Sequence, residues 1–385
     1  MGRSSVAVAL LAAIIALADV TEACKRPREP KKTLSRLLFT GGTRFASPED
    51  VMVYDLVQAL EPSGQLTPVT SLRLPQPRAL HVAAAHGGRV VLTGGIHDAD
   101  LDNPRIAQDT LIIENGQLRK GADQPSPNSI RQLSALVGDE LFVCGGRSAE
   151  AEFDDRCDRY SMAKDSWTPL PASLPDKEAL EALGFGSLTT DGHLHLYYVV
   201  SKTKPAAPLA AKTLPKSVAG LLFGGQWADR LRDRPAEEVE NTVYKLDVTV
   251  DGAQWTQLSR TVTKDQTLLL SSVLVAEGRL LACGLDLYLS SDRDQIKRNC
   301  FYNDLASGVW TAAPSPDPQP RPGNLLSVPE LFRCGKTIYK VERSFEHRAP
   351  EPVQLLDADA GWRSLAAQTS VAYDNFGIAC FETEA

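Results

Sequence analysis

The chain has 385 residues, 43% of them hydrophobic and 6% aromatic, which is enough to bury a large core and long enough for two or three ordinary domains. A net charge of -7 and a pI near 5.5 exclude electrostatic gripping of nucleic acid. Apart from one short N-terminal segment no stretch is continuously apolar, so no membrane span is expected.

In chain order, Arg3 precedes an apolar run from Val6 to Ala18 that closes on Ala16-Leu17-Ala18. That run is too short to cross a bilayer core of roughly 30 Å and predicts a signal peptide over 1–18, cleaved after Ala18. Thr21 stands where a lipidation signal ahead of Cys24 would need an aliphatic residue, so lipidation is not expected. The basic leader, residues 19–35, carries Lys25 to Lys32 and reads as a solvated arm. Next, Leu37-Leu38-Phe39-Thr40 runs into Gly41-Gly42, and the same punctuation returns at Gly94-Gly95, Gly145-Gly146 and Gly224-Gly225, at separations of 53, 51 and 79 residues. Gly278 to Leu285 and Gly335 to Glu342 fit the same frame with one or both glycines lost, which makes six units. An internal repeat near 50 residues is the period of one four-stranded propeller blade. Downstream of several pairs an aromatic strand is followed seven to eleven residues later by tryptophan: Tyr160 and Trp167, Tyr244 and Trp255, Tyr302 and Trp310. A phosphate-cradling role for the glycines would require a helix after them, and a polar loop and another strand follow instead.

These strands, glycine pairs and spaced Tyr and Trp residues resemble the kelch-repeat family over roughly residues 36 to 383. The resemblance implies an all-β, six-bladed kelch-type propeller, with seven blades as the alternative count. Ile112 and Gly121 in the second unit depart from the family's Tyr and Trp. The stretch 201–241 interrupts the fourth unit. Either His193 to Val200 is the glycine-pair strand and 201–241 an insertion, or that strand is innermost and Leu221-Leu222-Phe223 follows it; Ala228 to Glu240 reads as a short helix. A long excursion of this kind suits a partner-contacting element. Ser370 to Tyr373 and Ile378 to Phe381 are expected to pair with Arg36 to Thr40 and close the ring.

Export makes disulfides permissible. Cys144 and Cys157 in the third unit and Cys283 and Cys300 in the fifth hold corresponding places on strands expected to be antiparallel neighbours, so two cross-strand disulfides are predicted. Of the remaining three, Cys24 and Cys380 are expected to tie the chain ends together, leaving Cys334 free. No Cys-x-x-Cys occurs to suggest zinc.

Loops on a rigid scaffold are where binding residues gather. The loops entering the innermost strands and those after the glycine pairs open on one face, and Arg78, His81, Arg131 and Arg321 lie there as candidate binding residues. Asp98, Asp100, Asp102 and Asp109 alternate and end at the spacing of a calcium loop, although Asn103 and Pro104 replace the turn glycine and no helices flank it. Calcium is therefore the one cofactor weighed, and none is otherwise predicted. The resemblance also brings in secreted copper radical oxidases and sialic acid epimerases. His81 with His86 and His193 with His195 form no metal spacing, and no catalytic residue carries over. The reading is an exported, monomeric propeller, periplasmic in a bacterial source, that binds an unidentified protein or glycan through its loop face. A secreted epimerase- or oxidase-type enzyme acting on a small carbohydrate is the competing reading.

Overall fold

A computed structural model of the chain describes residues 33–47, 50–61, 65–98, 104–126, 130, 132–148, 153–179, 186–205, 236–264, 268–286, 297–315, 327–344, 352–357, 361–368 and 377–384. The chain divides into two units, Met1–Leu34 with Glu382–Ala385, and Ser35–Phe381. The described residues of the first are all in strand. The second is built from six four-stranded antiparallel sheets arranged as a six-bladed propeller.

Blade 1 takes β1 (Thr33–Thr40), β4 (Leu56–Leu60) and β5 (Leu66–Arg73), with a two-stranded hairpin of β2 (Thr43–Ser47) and β3 (Asp50–Val53) inserted after the glycine pair. Blade 2 is β6 (Val82–His86), β7 (Arg89–Thr93), β8 (Thr110–Glu114) and β9 (Gln117–Lys120); blade 3 is β10 (Leu133–Val137), β11 (Glu140–Cys144), β12 (Cys157–Ser161) and β13 (Ser166–Pro169). Blade 4 is β14 (Gly186–Thr190), β15 (His195–Pro205), β16 (Ala236–Asp247) and β17 (Thr256–Lys264). Blade 5 is β18 (Leu268–Ala276), β19 (Arg279–Asp286), β20 (Lys297–Asp304) and β21 (Trp310–Ala312). Blade 6 is β22 (Ser327–Cys334), β23 (Thr337–Ser344), β24 (Pro352–Asp357) and β25 (Gly361–Gln368). The last strand, β26 (Gly377–Glu384), pairs with β1 and supplies the inner strand of blade 1. The first strands of blades 2 to 6 touch in succession around the middle.

The core follows from strand periodicity. Successive side chains point to opposite faces, so each blade greases both neighbours. Leu38 packs with Val90, Leu92 and Leu111 of blade 2, whereas Leu37 and Phe39 pack with Val341 and Val353 of blade 6. Val90 and Leu92 face blade 1, while Val91 faces Leu141, Val143 and Tyr160 of blade 3. Equivalent clusters fill the gaps between blades 3 and 4, 4 and 5, and 5 and 6. The repeat tryptophans reach the preceding blade: Trp167 Nε1 donates to Ala122 O at 3.1 Å and Thr110 Oγ1 at 3.2 Å, and Trp362 Nε1 donates to Pro314 O at 2.8 Å.

The glycine pairs have a steric cause. A Cβ on Gly41 (φ 60) would lie 2.0 Å from Arg78 O, and one on Gly95 (φ 89) would lie 2.3 Å from Ala79 O. Each of these glycines ends a second strand where the linker entering blade 2 passes over it, Arg78 against blade 1 and Ala79 against blade 2, leaving room for backbone alone.

The structure decides one open alternative and corrects two expectations. In blade 4 the glycine-pair position is held by β15, paired with β14 and β16, so Leu221-Leu222-Phe223-Gly224-Gly225 does not supply that strand and lies outside the described residues. Ala236 to Glu240, read as the end of a helix, begins strand β16, because Lys202, Thr203 and Lys204 of β15 offer it a ladder partner. The two cross-strand disulfides form between directly opposed residues, Cys144 with Cys157 and Cys283 with Cys300. The third bond is Cys334–Cys380, not Cys24–Cys380. Cys334 and Cys380 sit on the first strands of adjoining blades with Cα atoms 5.1 Å apart, and Cys24 lies outside the described residues.

Candidate functional site

Because strands reverse, the linkers entering each blade and the connections after each second strand open on one face, here the loop face; the remaining turns form the opposite face. Arg78, on the linker into blade 2, is 1% exposed. Its guanidinium donates to Gly94 O and Asp109 O, both at 3.2 Å, and to Asp109 Oδ1 at 2.5 Å, while its own carbonyl accepts the Gly42 N–H at 2.8 Å. Burial lowers its pKa against the opposing pull of Asp109. Arg78 is therefore a strut between blades 1 and 2 rather than a group facing a ligand.

His81 immediately precedes the inner strand of blade 2 and is also buried. Its Nε2 lies 2.8 Å from Thr40 Oγ1, and Thr40 Oγ1 donates to Gly377 O at 3.2 Å. Since the hydroxyl has one proton, Nε2–H is the donor to Thr40. A Cβ at Gly377 would meet Nε2 at 2.5 Å, so the imidazole is walled in by the closing strand. Arg131 and Arg321 lie outside the described residues.

Of the alternating aspartates, Asp100 and Asp102 lie outside the described residues. Asp98 accepts from Arg105 Nε at 2.6 Å and from the Arg105 backbone N–H at 3.2 Å, and Asp109 is engaged by Arg78. Among the described residues no group of three or more His, Cys, Asp or Glu side chains is gathered as a metal site. His193 and His195 belong to the opposite face, in the β14–β15 turn, where Asp191 Oδ2 lies 2.6 Å from His195 Nδ1.

Among the described residues, the longest strands reaching the loop face are on blade 4. Strands of four and five residues form β8, β9, β11 and β12, whereas β15 runs for 11 residues and β16 for 12, paired out to Pro205 and Ala236. The base of this projection is held by polar contacts. Ser201 Oγ donates to Asn241 Oδ1 at 2.6 Å and accepts the N–H of Leu270 from blade 5 at 2.9 Å; Arg260 is bonded to Glu240. Beside it, Asp176 in the linker from blade 3 takes a left-handed conformation (φ 60), accepts from Tyr244 Oη at 2.5 Å and pairs with Lys202. Burial, then the bond to Asp176, pushes the Tyr244 hydroxyl up. Tyr198, stacked on Tyr244 with ring centroids 6.1 Å apart, is raised by burial and by the Asp176 charge. Tyr244 is legible in the sequence as a repeat aromatic, but the cluster is not, since nothing in the 170–185 linker marks Asp176 as its partner.

A model described as "Kelch motif" matches residues 133–172, which span blade 3 from its first strand past its fourth. The N-(sulfonatooxy)prop-2-enimidothioate sulfolyase of Thlaspi arvense is 26% identical to this chain over 243 residues, 62% of this chain; the match spans 63% of that relative's length. The chain is thus a propeller of six four-stranded blades whose second strands end, in blades 1 and 2, in tightly enclosed glycines, and its third blade carries a kelch motif.

Proposed function

We propose that this protein is an exported binding module that engages a protein or glycan partner through its loop face. The observation that carries the reading is the blade 4 projection: an over-long hairpin, anchored to blades 3 and 5 at its base, whose two strands are joined by residues 206–235. A propeller gains nothing in ring closure from such an extension, and rigidly mounted loops are where recognition residues concentrate. The apolar segment Val6 to Ala18 and three disulfides support export to an oxidising compartment. The polar ends of the described loops are largely spent on one another, as at Arg78–Asp109 and Asp98–Arg105, which favours binding over catalysis there.

The test compares the parent with a variant in which residues 206–235 are replaced by an Asn-Gly turn, a sequence suited to closing a two-residue hairpin. Both are screened on a glycan array and against a secreted-protein fraction. The expected result is a ligand held by the parent and bound at least tenfold more weakly by the variant, with the thermal transition unchanged. Equal binding by both, or none by either, overturns the reading. The enzymatic alternative draws on the name of the 26%-identical relative. Turnover of N-(sulfonatooxy)prop-2-enimidothioate by the purified chain would favour it.

A further inference from the structure

The three disulfides differ in what surrounds them. Cys144–Cys157 and Cys283–Cys300 each join the second and third strands of one blade, and all four residues are 0–1% exposed. Leu174 and Leu196 help to cover the first bond, and Ala313 and Leu331 the second. In both, the bonded residues are already neighbours in a ladder. Cys334–Cys380 joins strands of different sheets, β22 of blade 6 and β26 of blade 1, at the seam where the ring closes.

Access separates the closing bond from the other two. Cys334 is the last residue of β22 and is 5% exposed, whereas Cys380 is only half-buried. Gly335 and Lys336, in the turn straight after Cys334, are exposed, and the exposed Arg333 donates from Nε to Gly335 O at 3.1 Å. Two cationic residues therefore flank this end of the bond. Exchange begins when a thiolate reaches one sulfur and expels the other, so its rate follows access, and positive charge nearby favours the thiolate form. The blade disulfides deny that access for as long as the blades stay packed.

We propose that Cys334–Cys380 is a redox latch on ring closure, opened in the folded protein by a dithiol reductant while the other two disulfides stay intact. A thiolate of the reductant attacks the Cys380 sulfur, the S–S bond breaks, and Cys334 leaves as a thiolate that takes up a proton. The second thiol of the reductant then attacks the mixed disulfide, which releases Cys380 as a thiol and leaves the reductant as a disulfide. Two electrons and two protons pass to the protein. Once the latch is open, β26 keeps its ladder to β1 and the packing of Ile378 and Ala379, but loses its covalent tie to β22.

The test uses the full oxidised chain, with any free thiol first blocked by iodoacetamide. It is incubated with dithiothreitol under native conditions, quenched at intervals with N-ethylmaleimide, and its labelled cysteines are mapped by mass spectrometry. Cys334 and Cys380 are expected to be labelled together, at least tenfold faster than the other four, and before the far-ultraviolet circular dichroism of the strands is lost. The thermal midpoint is expected to fall in step with that labelling and to return on reoxidation. In the double variant Cys334→Ser, Cys380→Ser the same brief treatment is expected to leave the midpoint where it was. Three results would overturn the inference: reduction of all three bonds at one rate, earlier reduction of either blade disulfide, or a midpoint that does not move when only Cys334–Cys380 has been reduced.

Discussion

At the turn between β14 and β15 a single carboxylate organises three backbone donors. Asp191 Oδ1 accepts the N–H groups of His193, Leu194 and His195 at 2.9, 2.9 and 3.1 Å, and Oδ2 meets the His195 imidazole. Partial burial works to raise its pKa, but the backbone and imidazole bonds outweigh it and hold the carboxyl down at about 2. A folded-state value below that of the unfolded chain means that this stabilisation is fully present above about pH 4 and lost as pH falls through 2. The displacement corresponds to about 2 kcal/mol. Asp191→Asn is therefore expected to unfold in urea at lower concentration than the parent at pH 6, with the two curves converging as pH approaches 2; a constant difference across that range would refute the assignment. This residue was passed over in the sequence because its three donors are its own near neighbours, an arrangement set by turn conformation rather than by residue spacing. Arg78 was noticed for a related reason and given a different role: its place before an inner strand is visible in the chain, but Gly94 O and Asp109 are brought to it by the crossing of two blades.

The cysteines separate at the scale of strands. Cys144–Cys157 and Cys283–Cys300 could be read in advance because two units repeat one placement, and antiparallel neighbours put corresponding residues face to face. Cys334–Cys380 has no repeated counterpart; it joins the first strand of blade 6 to the last strand of the chain, a neighbour relation that exists once, at ring closure. Blade 4 was obscured for the opposite reason, since Leu221 to Gly225 imitates a blade strand while the true one runs through Val199-Val200-Ser201-Lys202 without glycine. In the chain-entropy picture, closing a 13-residue separation contributes about 3 kcal/mol and a 46-residue separation about 4 kcal/mol. Replacing Cys334 and Cys380 by serine together is thus expected to lower the guanidinium unfolding free energy more than replacing Cys144 and Cys157. The reverse order would mean that the closing bond adds no constraint beyond the ladder beside it.

For the whole ring, closure depends on β26. It supplies the inner strand of blade 1 and contributes Ile378 to the cluster between blades 6 and 1, and Ala379 to the cluster between blades 1 and 2. The Gly377 carbonyl also accepts from Thr40, which in turn receives His81. Without β26, β1 becomes an open edge, Cys334 loses its partner and two inter-blade clusters are exposed together. Blades that rely on one another for their buried faces should not tolerate the loss of one strand locally. A chain ending at residue 376 is therefore expected to lose its cooperative thermal transition and to bind a hydrophobic dye, instead of showing a small downward shift. Adding a synthetic peptide of residues 377–385 in excess is expected to restore the transition, with a midpoint that rises with peptide concentration, as for any ligand that binds the folded state alone. A truncated chain that melts sharply within a few degrees of the parent would show that the ring is held by five intact blades and that the closing strand is dispensable.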